Sequence, residues 1–187
     1  SGQEGLLFQN IPDFSMLGKP TTDIPIIYSY LSLETFFPWG SALLKKYLKQ
    51  IVYIGPLREY PERVYSYSGN TPSNVGKSGK YTPDILIKRP DLVNKVNDWF
   101  NKFDIVYKLD VEVLKRNLFS LSLVDKKTGV DASPKDVGFG IGQLLPILVQ
   151  GILSENKIIF IEQPEIHIHP RLQAELGSFF AEMAGRT

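Results

Sequence analysis

The 187-residue chain is 43% hydrophobic and 22% charged, so it can bury a real core and is no disordered polypeptide. Its 21 Lys and Arg against 20 Asp and Glu leave a net charge of +1, which gives no support for a surface coated in basic charge for nucleic acid or membrane, a local patch excepted. Zero cysteines remove disulfides, thiolate zinc sites and cysteine nucleophiles, as suits a cytoplasmic protein, and neither a run near the ~20 apolar residues of a membrane span nor a signal-peptide start at residues 1–5 is present.

Residues 1–35 are rich in Gly, Pro, Thr and Asp, and their one short apolar run, 24–33, is broken by Pro25. This predicts loop with a strand or short helix. A helix is expected over 41–50, leading into a compact strand, Ile51–Ile54, stopped by Gly55-Pro56. Residues 57–83 read as loop. Asp91 is placed to N-cap a helix over 92–103, in which Leu92, Val96, Trp99, Phe100 and Phe103 recur at helical spacing. The period then changes. Ile105, Tyr107, Leu109, Val111 and Val113 alternate with Lys108, Asp110 and Glu112, Phe119, Leu121 and Leu123 alternate again, and Lys126-Lys-Thr-Gly129 is a turn. A small antiparallel unit is expected there. After a loop over 133–140, a helix is predicted over 141–153, with Pro146 in its first turn or two. Lys157-Ile-Ile-Phe-Ile161, continuously apolar over 158–161, reads as a strand of the buried, parallel-sheet kind. The closing segment, 171–184, is an amphipathic helix with Leu172, Leu176, Phe179, Phe180 and Met183 on one stripe. The fold class is α/β.

Gly76-Lys77-Ser78 has the ending of a phosphate-binding loop but not its frame. That loop needs a glycine five residues before Gly76, and the position is Thr71; the nearest glycine, Gly69, comes two residues too early. No apolar strand precedes it and Pro83 follows closely, so a polar structural loop is expected instead.

The strongest signal is Ile158-Ile-Phe-Ile-Glu-Gln-Pro-Glu-Ile-His-Ile-His-Pro170. An apolar strand ending in Glu162 puts a carboxylate at the strand's C-terminal end, where α/β proteins bind ligands. An acid so placed can hold Mg²⁺ through a water. Upstream, Val137-Gly-Phe-Gly-Ile-Gly-Gln143 sets small residues at a loop-to-helix junction, whose exposed N–H groups suit a phosphate.

These two segments together resemble the ABC-type AAA ATPases of bacteria, relatives of the overcoming-lysogenization-defect (OLD) and SMC-like ATPases. Tyr53-Ile-Gly-Pro-Leu-Arg58, Pro61, Arg63 and the Val75-Gly76 loop are similar to that family's middle region. The resemblance covers roughly residues 50–184. It implies part of a P-loop NTPase head: an N-terminal segment (1–50), a middle region with antiparallel strands (51–135), and signature loop, Walker B strand and following helix (136–187). By it, Phe139, Gly140, Gly142 and Gln143 belong to the signature loop that reaches ATP on the other subunit of a dimer, Glu162 is the Walker B acid that serves Mg²⁺, and His169 lies in the D-loop. A Walker A loop is then expected upstream of residue 1 and a switch histidine beyond residue 187. The intact protein would hydrolyse ATP, form a homodimer through it, and act on DNA or a partner effector, with no membrane association; the isolated chain is expected to be inactive.

One departure bears on mechanism. The glutamate that activates water usually follows the Walker B acid, and here the residue is Gln163, which can orient a water but cannot take its proton. Glu165, two residues on, is the candidate base. Three other readings stand beside this one. His167 and His169 with Glu162 and Glu165 could form a metal cluster. Arg58, Arg63, Lys77, Lys80, Lys88 and Arg89, interleaved with Tyr60, Tyr65 and Tyr67, suggest a DNA-facing patch. Last, the domain can be an interaction module that keeps the family fold without its nucleotide chemistry.

Overall fold

The computed structural model describes residues 25–67, 69 and 71–185, with backbone alone for 25–36 and 139. The chain divides into two compact units, 1–46 and 47–187, each taken here by itself.

The first unit contains most of helix α1 (Pro25–Leu48), a single helix of 24 residues where the sequence predicted a break and a separate helix at 41–50. The prolines misled. Pro25 stands at the first helical position, where a missing N–H costs nothing, and the interior Pro38 is tolerated. The Ser41 hydroxyl donates to the Pro38 carbonyl at 2.9 Å. The expectations for residues 1–24 lie outside the described residues.

In the second unit, β1 (Ile51–Ile54) pairs in parallel with β6 (Ile158–Ile161), in the register Ile51 with Ile158 through Ile54 with Ile161. The predicted antiparallel unit is present. The strands β3 (Tyr107–Lys115) and β4 (Leu118–Asp125) form its hairpin, with an irregularity between Val113 and Lys115, and the short β2 (Tyr65–Ser66) and β5 (Asp131–Ala132) line the other edge of β4.

Three helices join the sheets. α2 (Thr82–Lys88), a helix the sequence reading did not predict, starts at the end of the stretch read as loop, with Pro83 near its N-terminus. α3 (Pro90–Lys102) begins one residue before Asp91, so Asp91 does not cap it; its carboxylate instead takes two bonds from Arg89, at 2.7 and 2.8 Å. α4 (Phe139–Leu153) starts two residues earlier than predicted, which places Pro146 in its interior. It is apolar nearly all round and buried from Gly142 to Ile152, the pattern of a central helix. α5 (Pro170–Ala184) docks on it through Phe179 and Met183, with Leu176 also buried. A Cβ on Gly151 of α4 would collide with the Phe179 ring, so this glycine lets the two helices close. Phe179 also meets Trp99 of α3 edge-on, with centroids 4.8 Å apart.

The expectation for residues 157–161 holds in one respect and fails in another. β6 is parallel, but among the described residues it has β1 as its sole partner, and Ile158 and Phe160 are 48% and 55% exposed. It is a sheet edge, not a strand buried on both faces. The apolar run predicted burial here, and an exposed edge counts against the family resemblance, so support for that resemblance must come from elsewhere. Beside β6, an apolar cavity of about 350 Å³ opens between α4 and α5, lined by Ile147, Ile161, Phe180 and Met183.

Candidate functional site

The site gathers where β1 and β6 end. The Glu162 N–H donates to the Ile54 carbonyl at 2.9 Å, carrying the parallel ladder one residue past β6 and fixing where the carboxylate leaves the sheet. Glu162 is exposed there. A hydrogen bond from the Tyr53 phenol to Glu162, with burial and the carboxylate's charge adding to it, holds that phenol above its ordinary pKa. The chain then turns sharply. Gln163 and His167 have φ of 43° and 59°, left-handed values that side chains seldom adopt. The turn is closed by the Ile166 N–H on the Gln163 carbonyl and the Ile168 N–H on the Glu165 carbonyl. Gln173 of α5 donates to the Glu165 and Ile168 carbonyls, at 3.3 and 2.9 Å.

Arg58 lies beneath this turn. It is 5% exposed, and its Nη2 donates to the carbonyls of Glu162 (2.9 Å) and Gln163 (3.3 Å). Burial lowers its pKa and the nearby Glu165 carboxylate opposes that fall. A place for Arg58 on a DNA-facing patch is therefore corrected: the side chain belongs to the interior. The other cations of that patch have local partners. Arg63 pairs with Asp136 at 2.8 Å and Arg89 with Asp91, while Lys77, Lys80 and Lys88 lie over the rings of Tyr53, Tyr81 and Tyr67.

The first turn of α4 closes the other side. Phe139 opens the helix, after Gly138 with φ of 114° and no side-chain cap. A Cβ at Gly140 would meet the His167 carbonyl at 3.0 Å, and one at Gly142 would meet the Pro61 ring at 2.6 Å, so both positions need glycine for close approach. Gln143, expected to face a nucleotide, is 1% exposed, and its amide donates to the Arg58 carbonyl at 3.5 Å. His169 is the N-cap of α5, its Nδ1 accepting from the Arg171 N–H at 3.3 Å. The predicted residues 139–143, 162, 163, 165 and 169 thus fall in one neighbourhood, with Glu162, Gln163, Glu165 and His169 exposed and Gln143 turned inward. The alternative metal cluster does not assemble: among the described residues no group of three His, Asp or Glu side chains is placed to hold an ion.

Gly76-Lys77-Ser78 is a structural loop. The Val75 N–H donates to the buried Gln150 Oε1 at 2.9 Å, the Gly76 N–H to Asn74, and the Lys77 and Ser78 carbonyls accept from the Gly55 and Glu59 amides. Gly79, with φ of 76°, packs against Pro146. These bonds hold the segment against the protein as a structural loop. Among the described residues, no helix is long and apolar enough to cross a membrane.

The family model for the AAA ATPase domain matches residues 68–187. No curated protein and no solved structure matches the chain.

Proposed function

The chain belongs to the AAA ATPase domain family, and we propose that it is the part of an ATP-hydrolysing head that bears the strand-end acid and the trans-acting loop, of the ABC type seen in OLD-like and SMC-like ATPases. The observation that carries this reading is the exposed Glu162 at the C-terminal end of a parallel strand, connected through Arg58 to the glycine-rich N-terminus of a long helix. A lone hard carboxylate at a strand end fits Mg²⁺, which is usually held by one or two acids, several waters and the nucleotide's phosphates. Held by Glu162, Mg²⁺ would supply neutralisation of the charge that develops in phosphoryl transfer.

The chain's own residues divide the remaining work. Glu162 would hold the ion, directly or through water. The first-turn amides of α4, starting at Phe139 and brought against the 162–169 turn by Gly140, are donors for the phosphate of ATP bound to a second copy. Gln143 supports that turn from inside, and His169 fixes the start of α5. Gln163 orients the attacking water and Glu165, exposed on the same turn, takes its proton. On this reading a Walker A loop and a switch histidine complete the head. ATP-driven dimerisation then acts on DNA or an effector.

The test is steady-state turnover with an ATP-binding measurement on Glu165→Gln in the intact protein. Hydrolysis should slow while ATP binding is kept. Wild-type turnover would remove Glu165 from the mechanism. Failure of the wild type itself to bind or hydrolyse ATP would favour the alternative, an interaction domain that has kept the fold alone.

A further inference from the structure

We propose that Arg58 is a positioning residue that ties the first turn of α4 to the acid-bearing turn after β6, so that the two nucleotide-facing elements move as one; this rests on the ATPase reading above. Its backbone carbonyl accepts from Gln143 of α4, and its guanidinium grips the carbonyls of Glu162 and Gln163. One residue, far in sequence from both, thus bridges the two segments from a position that is 5% exposed. The grip falls where it has most leverage. Gln163 has a φ of 43°, and the carbonyl that takes the second Arg58 bond also accepts the Ile166 N–H that closes the turn. Without the arginine, the strained bend loses a donor and the Glu162 carboxylate loses its fixed point of departure from the sheet.

The energetics point the same way. Nε and Nη1 of Arg58 are buried and meet no acceptor among the described residues. A guanidinium kept for stability alone would have these groups satisfied, because a buried unpaired donor is costly. An apolar side chain could fill the space at lower cost. What it could not do is donate to two successive carbonyls at the end of a strand. Arg58 does not touch the reacting atoms; it acts through the backbone of Glu162 and Gln163.

Two measurements on Arg58→Met and Arg58→Lys test this. In the 187-residue chain, hydrogen exchange at the Ile166 amide should rise at least ~10-fold in Arg58→Met, while the Val75 amide, held by Gln150, keeps its wild-type rate. In the intact protein, kcat should fall ~10-fold or more and half-saturating Mg²⁺ should rise, with KM for ATP within about twofold, since small misplacement of a catalytic group is expensive in rate. Arg58→Lys, which keeps the charge and a shorter donor, should recover part of both, and it carries the test if Arg58→Met does not fold. Wild-type exchange at Ile166 in Arg58→Met overturns the inference, as does wild-type kcat and Mg²⁺ dependence. A wild-type protein that hydrolyses no ATP refutes the ATPase reading instead; the clamp is then decided by the exchange result alone.

Discussion

Gln150 offers the sharpest test of how this fold is held. It is 1% exposed in the middle of an apolar helix, its Oε1 accepting from the Val75 N–H at 2.9 Å and its Nε2 donating to the Ser154 hydroxyl at 2.6 Å. Gln150→Leu keeps the bulk and removes both bonds. Ser154 is half-buried and can turn to water, but Val75 is fully buried, so its amide is stranded. The stranded donor should cost about 1–3 kcal/mol. At about 2–4 °C per kcal/mol for a chain of this size, thermal unfolding followed by circular dichroism should shift down by roughly 2–12 °C. Gln150→Glu adds a sign. A buried carboxyl has a folded pKa above its unfolded value of about 4.3, because burial disfavours the charged form. Protonated, it can accept from Val75 and donate to Ser154; ionised, it cannot donate. The variant should therefore lie closest to wild type below pH ~4.3 and lose stability as pH rises through the folded pKa. A Gln150→Leu protein with wild-type melting, or a Gln150→Glu deficit independent of pH, would refute the anchoring of the 75–79 loop.

Three further outcomes are expected. In Gly79→Ala the new methyl would stand 2.6 Å from Pro146 at a φ of 76°, whereas in Gly129→Ala, at a φ of 69°, it meets nothing within 4 Å. Urea unfolding should show a loss of about 1–2 kcal/mol for Gly129→Ala, the backbone cost alone, and about 1–3 kcal/mol more for Gly79→Ala; equal losses would contradict the packing. The Asp125 carboxylate accepts from the Thr128 and Lys127 amides at 2.8 Å, which holds its pKa below the usual carboxylate value. Its stabilising contribution is present above the unfolded pKa of about 3.9 and lost as pH falls through the folded one, so an NMR titration midpoint at or above 3.9 would count against the turn. In Glu162→Gln the Tyr53 phenol loses its charged acceptor, and its titration, read with ring-labelled tyrosine, should move down towards the ordinary value; no movement would deny the Tyr53–Glu162 contact.

Much of the fold was legible because its period was. The strand at 51–54, the hairpin of β3 and β4, and the helices near 92–103 and 171–184 follow from apolar spacing alone. The misses have physical causes. Proline was taken as a break in α1, though at the first position it is harmless and Pro38 is carried within the helix. The seven-residue α2 is too short to show a period, and its Thr-Pro-Asp start reads as a turn. For β6, an unbroken apolar run revealed a parallel strand but not how many neighbours cover it. The site's exposed members were visible as acids and glycines. Arg58 was not: an arginine in a Gly- and Pro-rich stretch looks like surface, and nothing local foretells the two carbonyls it grips, 104 and 105 residues downstream. Gln143 and Gln150 did leave a signal. They are lone amides in an otherwise apolar helix, a pattern that marks buried groups with fixed partners.

The most direct measurement is ATP turnover by the 187-residue chain, by the intact protein, and by the intact protein carrying Glu162→Gln. Phosphoryl transfer depends on phosphate-cradling amides, a lysine and Mg²⁺ acting together, and on the proposed reading the described residues contribute the strand-end acid, the α4 amides and the Gln163–Glu165 turn. The expected pattern is no hydrolysis by the chain, measurable hydrolysis by the intact protein, and abolished turnover in Glu162→Gln. Robust turnover by residues 1–187 alone, or wild-type turnover in Glu162→Gln, would contradict it.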